Sequence, residues 1–351
     1  MKQKLAGILL LAAVILAAGG YAVYSVKSEA TVLDGYLGGE KIGLFEDAQV
    51  QKILKKKYHV KFEYSKAGSL DMVTADQNGK DYLFPSSQTA LSYYKDVKGE
   101  PVKDEIIFNT PIVLYSHQMV VDALKKKGVV YEKNGVYYAD MKKMTNLILV
   151  DTQWSDIGLP ELYGKVSVDT TDPEKSNSGN MFAALLANVI NNGETVDEST
   201  VDAVLPQLKE IFARLGYMET SSSDLFSQFL KMGVGAKPMI AGYESQLLEF
   251  SAEHPEDYKK LKDDIVMIYP SPTVWSTHVY IALDKQGKEG AKALLDDEIQ
   301  QIAWKSHGFR TNSYAAGTES GSVQIKGVAE TVTSVMTVPD YPTMKKITES
   351  L

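Results

Sequence analysis

The chain has 351 residues, 44% hydrophobic and 23% charged, with a net charge of −8 and no cysteine. That length suits one large domain or two lobes of roughly 100–200 residues each. Disulfides, thiol catalysis and thiolate metal sites are excluded, and a negative chain with only Arg214 and Arg310 and no basic stripe excludes nucleic acid as a partner.

Lys2 and Lys4 precede Leu5–Val26, 22 residues without a charge. About 20 apolar residues span a bilayer, so residues 1–30 read as a hydrophobic helix that anchors the chain in the membrane. Leu5–Ala18 also serves as a signal-peptide core, with Ser28-Glu29-Ala30 as the cleavage residues. The bulk of the chain is expected outside the cell membrane if the segment is kept, and secreted or periplasmic if it is cleaved.

Beyond it, strand and helix patterns alternate. "TVLDGYLG" reads as a strand entering a Gly-rich turn, "GLFEDAQVQKILKKKY" as an amphipathic helix and "VKFEYS" as a second strand. "DYLFPSS" is a third strand stopped by Pro85, "TALSYYKDV" a helix, "EIIFNTPIVLYS" a long β-rich run and "QMVVDALKKKG" a helix. The second half repeats the rhythm. "GKVSVD" reads as a strand, Asn180–Asn191 and Thr200–Leu215 as helices, "KPMIAGY" as a strand entering the helix "ESQLLEFSAEH", and "DIVMIYP" as another strand. A second long β-rich run, "TVWSTHVYIAL", precedes the helical "KEGAKALLDDEIQQIAWKSHG" and the tail "DYPTMKKITESL".

This alternation gives an α/β fold with mostly parallel sheets. The two long runs, roughly 106–116 and 273–283, read as two interlobe crossing strands. They divide the chain into one lobe of residues 31–111 plus 279–351 and a second of 112–278. The ligand cleft then lies between the lobes, at the C-terminal ends of the strands.

The residues at those ends are the candidate site. Ser176, Asn177, Ser178, Gly179 and Asn180 precede a helix, and the run exceeds what one cap needs; Gly179 lets a ligand approach the backbone. Ser86 and Ser87 follow the third strand, and Ser69 holds the same place one unit earlier. Tyr243 and Glu244 at another strand end hold a hydroxyl or an amine, or cap the next helix. Gly38-Gly39-Glu40-Lys41 reads as a plain turn and His278 as a structural histidine. With five scattered histidines and no P-loop, GxGxxG or GxSxG, no catalytic residue, metal or cofactor is expected.

This layout resembles the bacterial extracellular solute-binding proteins of the type 2, two-crossover class, a two-lobe periplasmic-binding-protein-like fold, over about 31–320. Four stretches carry the resemblance. "DTTDPEKSNSGN" is similar to the helix-start loops of phosphate, sulfate and molybdate binders, and "DYLFPSSQ" ends a third strand in serines. "AWKSHGFRTN" looks like the late "hGFR" stretch of sulfate-type binders, and "GYESQ" is similar to binding-protein-like modules of surface proteins. The resemblance implies a non-enzymatic receptor that captures a small polar or anionic solute and is read by a membrane permease or a surface partner. The alternative is a surface interaction or sensor module that kept the fold and reads a protein or envelope component. Two departures stand out: Arg310 reads as structural, and Glu244 would repel a fully charged anion if it faced the cleft.

Overall fold

β1 (Thr31–Leu37) opens the described chain, which in this computed structural model comprises residues 30–314 and 325–351; Leu33, Gly35 and Leu37 are buried and alternate with partly exposed neighbours. The expected N-terminal hydrophobic helix lies outside the described residues, among which no helix is long and apolar enough to cross a membrane. The single helix expected from "GLFEDAQVQKILKKKY" is two, α1 (Ile42–Glu46) and α2 (Ala48–Ile53). Asp47 breaks it, because its carboxylate accepts from the backbone N–H groups of Gln49 and Val50 and starts a new helix.

β2 (Val60–Lys66), α3 (Asp71–Thr74), β3 (Tyr82–Phe84) and α4 (Gln88–Lys98) lead into the 15-residue β4 (Lys103–His117). After α5 (Gln118–Lys126) comes a hairpin absent from the sequence reading, β5 (Val130–Lys133) and β6 (Val136–Asp140). Asn134 and Gly135 turn it with φ of 54° and 76°, as a two-residue turn of this hand requires. Then come α6 (Met141–Leu149), α7 (Asn177–Ile190), α8 (Val201–Ala213), α9 (Ser222–Met232), β7 (Met239–Tyr243), α10 (Glu244–Glu253), α11 (Pro255–Leu261) and β8 (Ile265–Ser271). The chain ends with β9 (Trp275–Ala282), α12 (Lys285–Leu294), α13 (Asp297–His307) and α14 (Tyr341–Thr348). "GKVSVD" is no strand: it contributes single bridges, Lys165 to Gln153 and Asp169 to Ile240.

β4 belongs to two sheets. Its first half pairs with β9 in the order β2-β1-β3-β9-β4, and its second half lies between β7 and β8, with β6 and β5 beyond. The mostly parallel sheets expected from the α/β rhythm are corrected to a mixed sheet. β1–β2, β1–β3 and β6–β8 are parallel, whereas β3–β9, β4–β7, β4–β8, β4–β9 and β5–β6 are antiparallel. The cause is that strands returning through the junction run against their neighbours. The second crossing is not one continuous strand either, since β8 hands over to β9 at Pro272–Val274. There Ile112 donates its N–H to Val274 O (3.0 Å) and Thr273 Oγ1 donates to Ile112 O (2.6 Å), so the two crossings are bonded to each other.

Both sheets are covered on both faces. In the first, Leu33, Phe84 and Tyr280 pack on one side and Met72, Leu83 and Ile281 on the other; in the second, Leu114 and Ile268 face α7, while Tyr115 and Met267 face Phe229 and Trp304. α7 is buried nearly all round, and side chains such as Leu185 and Leu186 each contribute about 1.5–3 kcal/mol of burial. The tail departs from the expected lobe of 279–351: Met344 and Ile347 of α14 lie in the same cluster as Leu185 and Val204 of the second lobe. An apolar pair at helical spacing finds its partner surface on α7 and α8, while Tyr341 stacks at 3.9 Å on Tyr93 of α4, so the tail touches both lobes.

Candidate functional site

Because β1, β2 and β3 run parallel, the turns that follow them emerge at one edge of the first sheet. These turns carry Gly38–Lys41, Ala67–Leu70 and Pro85–Ser87. Facing them from the second lobe are the start of α7 and Tyr243 at the end of β7, and β9 adds Ser276 and His278.

Lys41 is fully buried. Its ammonium pairs with the Glu40 carboxylate, donates to Ser86 Oγ (2.7 Å), and lies 3.2 Å from His278 Nδ1 and 4.9 Å above the Phe84 ring. The Ser86 hydroxyl donates to the same Glu40 carboxylate. Burial pushes the Glu40 carboxyl up, but the adjacent Lys41 charge, His278 and the hydrogen bonds from Lys41 and Ser86 outweigh it and hold it at about 2. Burial pulls Lys41 below the ordinary lysine range, with Glu40 acting in the opposite direction. Burial and the Lys41 charge take His278 well below the ordinary histidine value, so the ring is neutral. With an ammonium beside Nδ1, the ring proton sits on Nε2, which is buried with no hydrogen-bond partner among the described residues.

Asn177 spans the cleft. Its side-chain amide donates to Ser86 O (2.9 Å) of the first lobe and to the Tyr243 hydroxyl (3.0 Å) of the second, with Ser276 Oγ at 3.3 Å. Ser276 Oγ donates to Ser86 O (2.8 Å), and the Ser86 N–H donates to Ser69 Oγ (3.0 Å). Burial raises the Tyr243 phenol, which stays protonated. Over this network lies a cavity of about 470 Å³ lined from one lobe by Gly39, Glu40 and Ser69 and from the other by Lys175, Ser176 and Asn177.

Ser69, Ser86, Ser176, Asn177 and Tyr243 therefore come together in the cleft with Ser178 and Asn180 beside them, while Ser87, Gly179 and Glu244 do not. Ser87 caps α4 by accepting from the Thr89 N–H (3.1 Å). Ser178 shares hydrogen bonds with Thr171 Oγ1 (2.8 Å) and with Ser176 Oγ (3.2 Å), and Asn180 donates to Pro173 O (3.3 Å) while lining a small hollow with Ser69 and Ser176. Gly179 is small for a different reason from the one expected: a Cβ there would stand 2.1 Å from Thr171 O, so it admits backbone of its own chain rather than a ligand. Glu244 is fully buried and turned away from the cleft, accepting from Arg310 Nε (2.6 Å) and Nη2 (2.7 Å). Sequence reasoning missed Glu40 and Lys41, a Gly-flanked charged pair that looks like any exposed turn, and passed over His278.

No family model matches the chain, and no curated protein matches it. Solved structures do. The substrate binding protein of an ABC transporter from Agrobacterium tumefaciens is 13% identical over 93% of this chain and 96% of its own, with a TM-score of 0.56. The periplasmic binding protein AfuA from Actinobacillus pleuropneumoniae, with fructose-6-phosphate bound, is 14% identical over 92% of this chain and 97% of its own, with a TM-score of 0.55. The sulfate-binding protein SubI from Mycobacterium tuberculosis is 13% identical over 81% of this chain and 87% of its own, with a TM-score of 0.51. The chain has the two-lobe fold of the type 2 periplasmic solute-binding proteins.

Proposed function

We propose that the protein is an exported, membrane-tethered solute-binding protein that captures a small polar or anionic solute in its interlobe cleft for uptake or sensing. The observation that carries this reading is the Asn177 side chain, which donates across the cleft to the Ser86 carbonyl at the floor of a cavity walled by both lobes. The lobes thus meet through polar groups at the place where a solute would sit, and closing them buries it. The fold supports the reading, as do the names of its structural neighbours, one a sulfate binder and one holding a phosphorylated sugar.

The chain has no cysteine, so Lys66→Cys and Lys175→Cys at the cavity mouth give two unique spin-label sites. A bound solute is expected to narrow the label-to-label distance distribution toward its short end, and Asn177→Ala to shift it long. The one hydrogen bond lost across the cleft, at about 0.5–1.5 kcal/mol, lowers the closed-to-open ratio about 2- to 13-fold. Distances that move neither with any member of a broad solute panel nor in Asn177→Ala would remove the cleft-capture reading.

Tethering rests on Lys2 and Lys4 before the uncharged Leu5–Val26, a charge order that places the N-terminus inside. Protease added to intact cells is expected to digest the bulk of the chain and leave a membrane-bound N-terminal fragment. Full protection of the chain would reverse the assignment.

A further inference from the structure

Within the cleft the strongest cation is already answered. The buried Lys41 ammonium and the Ser86 hydroxyl, two donors suited to a small anion, both point at the Glu40 carboxylate. Both hydrogen bonds to that carboxylate fall on Oε1, among the described residues, and His278 Nδ1 lies 3.6 Å from the same oxygen. Oε2 takes no hydrogen bond from the described residues, and the side chain, 10% exposed, forms part of the cavity wall opposite Ser176 and Asn177. We propose that Glu40 is the resident anion of the cleft: it fills the Lys41–Ser86 position with a carboxylate of the chain itself, so the solute is a donor-bearing polar molecule, not a free oxyanion.

The argument is electrostatic. A second full negative charge beside Glu40 would meet like-charge repulsion where the one buried ammonium is committed, while Lys66 and the Asp172-paired Lys175 stand further out, at the cavity mouth. A solute bringing N–H or O–H groups meets instead an open carboxylate oxygen, the stronger kind of acceptor. A cationic donor, an ammonium, gains most. This inference rests on the cleft-capture reading for the word solute, but the occupancy of the Lys41 position by Glu40 is tested separately from capture.

The test uses the full-length protein in detergent, followed by thermal unfolding. Glu40→Ala removes the carboxylate and leaves Lys41 and Ser86 unanswered; the midpoint should fall by about 5 °C. Added formate, a carboxylate small enough for the space, should restore at least half of that loss saturably in Glu40→Ala, and should do nothing in wild type or in the Glu40→Ala/Lys41→Met double variant. Sulfate, which carries no donor, should give wild type no saturable shift beyond the general salt effect. A folded Glu40→Ala that ignores formate overturns the proposal, and so does a wild-type chain saturably stabilised by sulfate, an arm that needs no variant. Formate rescue together with unmoving spin-label distances would leave Glu40 as resident anion and remove capture; the converse pair of results would do the opposite.

Discussion

Replacing Arg310 by methionine is expected to destabilise the protein by about 3–5 kcal/mol, because it strands a carboxylate in the interior. Glu244 is fully buried and Arg310 is 6% exposed, and the two are joined by a two-pronged contact of 2.6 and 2.7 Å. The guanidinium also donates to Ala329 O (2.5 Å) and Glu330 O (3.2 Å) and rests 5.5 Å from the centre of the Trp304 ring. Arg310 itself bridges to Asn109 of β4. One residue therefore ties together three parts, its side chain joining the start of α10 to the tail and its backbone joining the crossing strand. The loss in Arg310→Met comes mainly from the unpaired Glu244, so Glu244→Leu/Arg310→Met should recover much of it, a buried pair and an apolar pair of similar volume being close in energy. Urea unfolding of the single and double variants decides. A single variant within about 1 kcal/mol of wild type, or a double variant worse than the single, would show that the pair is not what holds this junction.

Lys41→Met is expected to cost a similar 3–5 kcal/mol at neutral pH, with a pH signature of its own. In wild type the Glu40 carboxyl titrates at about 2 instead of 4.5. A lowered folded value means that the stabilisation is fully present above about pH 4.5 and is lost as pH falls toward 2, about 3 kcal/mol in all. Without Lys41 the main lowering influence is gone and burial dominates, so the Glu40 carboxyl moves above its ordinary value. The variant then takes up the proton on acidification and escapes part of its penalty. The gap between wild type and Lys41→Met, measured by urea unfolding, should therefore be widest near pH 7 and shrink steadily below pH 5. A gap that stays constant with pH would mean that Glu40 and Lys41 do not compensate each other.

The elements that sequence made legible are those whose signal is local. β4 and β9 announced themselves as long β-branched and aromatic runs, and Ser69, Ser86, Asn177 and Tyr243 could be placed at one cleft because all four sit where a strand ends or a helix starts. What stayed hidden depends on distant partners. Lys41 is buried because His278, 237 residues on, and Ser86 complete its surroundings; nothing in Gly38–Lys41 says so. Glu244 read as a cleft carboxylate because Arg310, 66 residues away, is invisible from it. Gly179 was assigned an approach by ligand when the approaching oxygen belongs to Thr171. The β5–β6 hairpin is the exception, since Asn134-Gly135 is a local turn signal that was there to be read.

The position of β9 between β3 and β4 also governs the order in which the molecule can be made. β3 ends at Phe84 and β9 begins at Trp275, so at ribosomal speed roughly 10–40 s separate the emergence of the two. Throughout that interval β3 and the first half of β4 each present an open edge with Leu83, Ile107 and Phe108 beside it, a surface that invites pairing with another nascent chain. The second sheet's strands, β4 to β8, are nearly consecutive and can pair before β9 appears, while Trp304 and α14, which complete the core around them, come later still. The first sheet thus stays split until late in synthesis, and a ribosome stalled before residue 275 would hold a chain whose two open edges have no strand to join them.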